Sequence, residues 1–532
     1  MTPLSRSRRV GAQPSGYARR VTAFCGRAIV FALLVTPLAL CAGRARADEP
    51  AAPPDGGVGS GAAGESEATE TPADTSTPFA GTSTEAAAPF ADPRFGPRYV
   101  IDDIIVKGNR KTSKAIILAE VEALGLRQGA SVDASDPRVD AARYRLLTLG
   151  YFLDVRLKVT RGASAGGVVL VVEVEERGTL VINDLFPATS AATAFWGGAD
   201  VSETNFLGRG ISLGLGVVAS TKPIVRFAVP GLGVRVRGAV PALGGPYGLT
   251  LSVTGIYNDF SEFYRVSGDN DDADPGDFVA NHVQRAGGVL GVGKSFRGPF
   301  HVGVDFREEV VQTELPSGFD VDFMIREGTT RVGSVMGSAD YDTRSDPILP
   351  RAGMRVALSV ETATGLLGSS YDYVKTVLAG SFYWPMPRGH ALGLHVYGGA
   401  IQGDAPFFDR FFVGDLNLLL PRRALGINFS TLPSPNILDT PIAGHRYDDY
   451  AGSLLVEYAI PIWRRRSFVY GGDAFLAFGV FGMGSRGDFL APGPFSIHSV
   501  PIDLTGDVGI RLDTYIGIFT ISIANALSRS SF

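Results

Sequence analysis

The chain has 532 residues, 49 Lys+Arg against 54 Asp+Glu, 67 glycines, 10% aromatic and only 19% charged residues, with a mean hydropathy of +0.14. Soluble domains run nearer 25% charged, and beyond the N-terminal segment no apolar stretch approaches the roughly 20 residues of a membrane-spanning helix, so any membrane crossing is made by strands. The acidic balance argues against nucleic acid as a partner, and the two cysteines, Cys25 and Cys41, leave the rest of the chain without a disulfide framework or a thiol metal site.

The N-terminus reads as an export signal. Arg6, Arg8, Arg9, Arg19, Arg20 and Arg27 precede an apolar run from Ala28 to Leu40 and an Ala45-Arg46-Ala47 triplet. That order of charged, apolar and small-residue regions predicts a signal peptide over residues 1–47, cut after Ala47. The apolar run is short for a membrane anchor. Cys41 raises a lipoprotein alternative, against which Leu40 stands where a small residue is wanted. Cleavage leaves 41 basic against 54 acidic residues, a net charge of −13.

From Asp48 to about Pro93 the chain is Ala, Pro, Gly, Ser, Thr and acids, with no Lys or Arg. Such a segment cannot bury enough apolar surface to offset its ordering entropy, so residues 48–97 are expected to form a disordered acidic linker.

Residues 98–178 change character. Tyr99 to Val106 reads as a strand closed by a Lys107-Gly108-Asn109 turn. Thr112-Ser113 can cap a helix through about Leu124, with Ile116, Ile117, Val121 and Leu124 on one face. Asp136-Pro137 opens a second helix and Gly150 ends it. Strands Tyr151–Thr160 and Gly167–Glu176 follow, giving the order β-α-α-β-β.

From about Asn183 to Phe532, alternation with a period of two recurs between turn signals. Leu454, Val456, Tyr458 and Ile460 share one face, as do Phe519, Ile521 and Ile523, and Val356, Leu358 and Val360. One apolar and one mixed face per strand suits a closed membrane barrel, in which every backbone group pairs. A soluble β-sandwich alternates similarly; the export signal, the length and the closing aromatic Phe532 favour the barrel. At roughly twenty-two residues per strand and connection the region 183–532 holds about 16 strands. The stretch from Pro223 to Pro246 resists assignment. The fold class is therefore mainly β, a transmembrane antiparallel barrel preceded by one small α+β domain.

Particular motifs carry a family resemblance. Ile104-x-Val106-x-Gly108-Asn109, Leu149-Gly150-Tyr151-Phe152 and Val172-x-Val174-Glu175-Glu176, in the β-α-α-β-β order, resemble a POTRA domain. The barrel region resembles the BamA/TamA family of outer-membrane assembly proteins at four places. These are Glu203-Thr204-Asn205-Phe206-Leu207-Gly208-Arg209-Gly210; the turn motif Asp340-Tyr341-Asp342-Thr343-Arg344-Ser345-Asp346-Pro347 continuing through Pro350-Arg351-Ala352-Gly353; Arg410-Phe411-Phe412-Val413-Gly414-Asp415; and Val456-Glu457-Tyr458-Ala459-Ile460-Pro461 with the final strand ending at Phe532. The resemblance implies a long inward loop whose arginine pairs with acids on the barrel wall. Here the matching segment reads Pro421-Arg422-Arg423-Ala424-Leu425-Gly426, a departure from the family's Arg-Gly-aromatic motif. Arg422 or Arg423 would supply the charge and Glu457 and Asp473 the acids, a clasp that bidentate guanidinium–carboxylate geometry favours. Two arginines on a solvated loop is the alternative.

Catalytic readings find little. Gly210-Ile211-Ser212-Leu213-Gly214 matches the nucleophile-elbow pattern but sits in alternating strand sequence, not in the strand-turn-helix that chemistry requires. The six histidines show no paired metal-ligand spacing, and no phosphate-cradling loop is present. No enzyme and no cofactor is expected.

The resemblance implies that the POTRA-like domain receives unfolded outer-membrane proteins by adding a strand to a sheet edge. The barrel would then open between its first strand, near Ala194 to Asn205, and its last, near Gly517 to Leu527. The partners implied are those clients, outer-membrane lipid, and periplasmic chaperones or accessory lipoproteins, with the barrel in the outer membrane and the small domain in the periplasm. Two other classes remain open: a gated channel or partner-specific protein secretion pore, and a structural protein whose acidic linker docks a periplasmic partner.

Overall fold

The computed structural model describes residues 99–524 apart from 134–135, 244–248, 297–298, 347, 418–419, 421, 465–467 and 491–498. The expected signal peptide, the acidic linker and Phe532 lie outside the described residues.

The first strand, β1 (Tyr99–Lys107), leads into α1 (Lys114–Ala123), the two-residue strand β2 (Ser131–Val132), α2 (Pro137–Thr148), β3 (Phe152–Arg161) and β4 (Gly167–Glu176). The Ser113 hydroxyl accepts the Ala115 N–H to start α1, and Asp136 accepts that of Arg138 to start α2 with Pro137 in its first turn, as side-chain capping requires. The strands order as β2-β1-β4-β3, with β1 parallel to β4. Ile117, Val121 and Leu146 from the helices pack on Ile101, Val155, Leu170 and Val172 from the sheet. Strand β2 left no trace in the sequence reading, because two residues carry no period.

After three residues the chain enters the large sheet through β5 (Leu180–Leu185), β6 (Trp196–Phe206), β7 (Ile211–Ser220), β8 (Leu232–Leu243), β9 (Leu249–Arg265) and β10 (Phe278–Ser295). It continues with β11 (Phe300–Glu314), β12 (Gly328–Asp342), β13 (Gly353–Ala363), β14 (Tyr373–Pro385) and β15 (Ala391–Gly403). A long connection then carries two short paired strands, β16 (Phe411–Phe412) and β17 (Tyr447–Asp448). The sheet resumes with β18 (Tyr450–Arg464) and β19 (Val469–Gly484), and after the short helix α3 (Arg486–Leu490) ends with β20 (Ile502–Thr514) and β21 (Gly517–Ala524). Fifteen strands run consecutively, each antiparallel to its neighbour, from β5 to β21. The sequence count was about 16; fifteen lie among the described residues.

The first strand of the sheet departs from expectation. The segment near Ala194 to Asn205 is the second strand, β6, and the sheet begins at β5. The sequence reading began the barrel at about Asn183, but six residues so soon after β4 carry too little alternation to announce a strand of their own.

The alternation is borne out. Leu290 and Val292, Val304 and Phe306, Leu358 and Val360, Leu454, Val456, Tyr458 and Ile460, and Ile521 and Ile523 are all exposed on the outside. Their neighbours point inward, among them Val283, Val332, Ala459 and Ala477, which are buried. An apolar exterior on a closed-type sheet is a lipid-facing surface; among the described residues no helix is long and apolar enough to cross a membrane.

Candidate functional site

Among the described residues the sheet does not close by a ladder. Because fifteen strands alternate in direction, β5 and β21 run the same way, and no strand pairing joins them. Their bases touch where the Ile182 N–H donates to the Ile516 carbonyl at 2.7 Å. Beyond it, Leu185 on β5 and Ile518, Ile521 and Ile523 on β21 are exposed. The outer edge of β21 has no strand neighbour among the described residues, and an open edge is a template for another strand.

The small domain straddles the base of this seam. On one side, the β6–β7 turn receives it: the Ser113 N–H donates to the Gly208 carbonyl at 2.9 Å, and the Asn205 amide donates to the Thr112 hydroxyl at 2.9 Å. Gly208 has φ of +68°, and a Cβ there would lie 1.8 Å from the Lys111 carbonyl oxygen, so another residue would separate the two surfaces. On the other side, Arg177 donates to Asp513 at 2.6 Å and its guanidinium lies 5.2 Å from the Tyr470 ring centre. Residues 177–180 connect these contacts directly to β5.

A third contact reaches the turn motif singled out in the sequence. The Tyr144 hydroxyl donates to the Asp342 carbonyl at 3.1 Å. Within that turn Asp342 holds Arg344 at 2.8 Å, and Asp340 accepts from Arg355 at 2.6 Å. Gly353 has φ of +93° and sits where a Cβ would be 2.2 Å from the Thr343 carbonyl oxygen. Pro350 is buried. Arg351 then pairs with Asp473 on β19, so the turn reaches a strand four places along the sheet from β13.

The lumen is filled by the connection 404–449. Phe407, Phe408, Phe411, Phe412, Ile427 and Phe429 are buried in it, and Phe429 stacks on Trp196 of β6 at 4.9 Å. A charge network anchors this loop. Arg307 on β11 pairs with Glu309 at 2.6 Å, Glu361 at 3.1 Å and Asp409 of the loop at 3.0 Å. Arg285 completes Glu309 at 2.8 Å, and Tyr373 donates to Asp409 at 2.9 Å. Buried charges are tolerated when paired and hydrogen-bonded in this way.

The expected clasp takes a different form. Arg423 pairs with Asp415 of its own loop at 2.6 Å, and Arg422 lies within electrostatic reach of Asp507 on β20. Glu457 pairs with Arg511 at 3.0 Å, and Asp473 with Arg351. The structure thus puts a loop arginine toward a wall acid, but not toward the two that were named. The residues missed by sequence reading were Arg307, Glu309, Glu361 and Asp409. Their signal was available: Arg307 and Glu309 stand two apart, hence on one face of a strand, in a strand whose Val304 and Phe306 alternate to the lipid side.

Comparison with known proteins follows this architecture. Residues 99–177 match the POTRA model, a surface antigen variable number repeat, and residues 205–432 match the Omp85 superfamily domain. No curated protein matches the sequence. Among solved structures, BamA from Haemophilus ducreyi lacking POTRA domains 1–3 is 15% identical, covering 81% of this chain and 82% of that one at a TM-score of 0.44. CdiB from Acinetobacter baumannii is 12% identical, covering 78% and 68% at 0.46, and CdiB from Escherichia coli is 10% identical, covering 82% and 86% at 0.45. The small domain is thus a POTRA domain, and the barrel behind it carries an Omp85 superfamily domain.

Proposed function

We propose that this protein inserts and folds outer-membrane proteins, with the barrel in the outer membrane, the POTRA domain in the periplasm and no covalent chemistry. The observation that carries the reading is the seam: two terminal strands of like direction, held at their base by one backbone hydrogen bond and straddled there by the POTRA domain. An unfolded client strand running opposite to both would pair with the free edge of β21, gaining a backbone ladder while its apolar face enters lipid. Outer-membrane lipid is then the second partner, and chaperones or accessory lipoproteins would deliver clients to the POTRA domain. The filled lumen directs traffic to the seam.

The test is insertion of a model barrel protein into liposomes with and without the reconstituted chain; acceleration supports the reading, and none from correctly folded protein contradicts it. A gated channel or partner-specific secretion pore is the second reading. It draws on Arg423, whose pairing with Asp415 keeps that cation within the loop rather than on the wall. That reading requires the loop 404–449 to leave the lumen, which steady conductance in planar bilayers would register.

A further inference from the structure

On the rim away from the POTRA domain, donors of another kind converge. The lumen loop returns to the wall through His445 and Asp448, the latter in β17, and the connection after β19 brings Asp488 beside them. One ring nitrogen and two carboxylate oxygens, one atom from each residue, lie within 4.8 Å of one another. Nδ1 of His445 is 2.6 Å from Oδ2 of Asp448, and the Asp488 carboxylate is held in place by the Ser485 N–H at 2.6 Å.

With a neutral imidazole these three carry two negative charges, the count a divalent cation cancels. A nitrogen and two oxygens are borderline donors, suited to a first-row transition metal such as Zn2+. Bonds of about 2.0–2.2 Å to such an ion place ligand atoms roughly 3.3 Å apart, so the trio needs shifts of about an ångström. All three residues are half-buried, which leaves room for water at a fourth position, as an open three-ligand site requires.

We propose that His445, Asp448 and Asp488 form a divalent transition-metal site that pins the returning limb of the lumen loop to the outer connection after β19. The metal takes the Nδ1 lone pair of a neutral imidazole, so the ring proton sits on Nε2. The site stands apart from the seam, and its test does not depend on insertion activity.

The test is calorimetric titration of tag-free, full-length protein with Zn2+ alone, for the native chain and for His445→Gln and Asp488→Asn, each first shown to migrate as a folded barrel. One ion per chain is expected, weakened by more than roughly tenfold in each variant. Zn2+ should also slow proteolysis within 404–449 in the native chain and not in the variants, and a chelator should reverse it. Absence of saturable binding up to about 0.1 mM, or equal binding by all three proteins, would overturn the proposal. If one variant fails to fold, the other decides.

Discussion

Asn205 of the barrel donates its side-chain amide to the hydroxyl of Thr112 in the POTRA domain at 2.9 Å, and the backbone N–H of the same Thr112 donates to the carboxylate of Glu176 at 2.7 Å. Glu176 also accepts the backbone N–H groups of Arg110 and Lys111 at 3.1 and 2.9 Å. Three segments recognised separately in the sequence therefore meet in one relay across the domain boundary, beside the seam.

Removing the hydroxyl takes away the acceptor that Asn205 uses across the boundary. Thr112→Val should destabilise the POTRA–barrel junction by about 1–3 kcal/mol, the cost of leaving buried polar groups unpaired. Urea unfolding from vesicles measures the loss, and Thr112→Ser should recover most of it. Equal stability of the valine and serine variants would show that the relay contributes nothing.

Protonation of Glu176 should do the same. Burial raises its pKa, but the hydrogen bonds it accepts from Thr112, Lys111 and Arg110 outweigh burial and hold it below the ordinary 4.5. A depressed folded pKa means the stabilisation is fully present above about pH 4.5 and fades as pH falls through the folded value. Amide hydrogen exchange at residues 110–113, corrected for intrinsic rates, should be slow at pH 7 and lose protection only under acid. In Glu176→Gln that protection should already be lower at pH 7.

Arg307 is the cation that three acids share, two of them buried and Glu361 half-buried. Arg307→Met leaves Glu309, Glu361 and Asp409 short of a partner, with an expected cost of about 3–5 kcal/mol. Because Asp409 belongs to the lumen loop, that loop should become protease-sensitive and single-channel conductance should rise. A variant as tightly closed as the native chain would show that aromatic packing alone retains the loop.

The geometry also separates true pairs from expected ones. In double-mutant cycles, Glu457→Gln with Arg511→Gln should show clear coupling, while Glu457→Gln with Arg423→Gln should be additive within about 0.5 kcal/mol. Strong coupling in the second cycle would restore the clasp that the sequence suggested.

Local rules made much of this legible. Ser113 and Asp136 announce their helices because capping is a short-range effect, and Leu454, Val456, Tyr458 and Ile460 announce an outward face because the strand period is two. Strand β5 was missed because six residues adjoining a folded domain carry no separate signal. The partners of Glu457 and Asp473 were missed for another reason. Arg511 and Arg351 are 54 and 122 residues away, and only the register of the sheet and the reach of the 343–352 turn decide that they meet.

The seam is tested most directly by locking it. Ile182 and Ile516 are neighbours joined by a 2.7 Å backbone hydrogen bond, so Ile182→Cys with Ile516→Cys is the pair to oxidise, in a background lacking Cys25 and Cys41. The measurement is the rate of client insertion into liposomes before and after reduction. The account predicts that the oxidised protein is inactive and that reduction restores it. Equal insertion by oxidised and reduced protein would contradict a seam that opens.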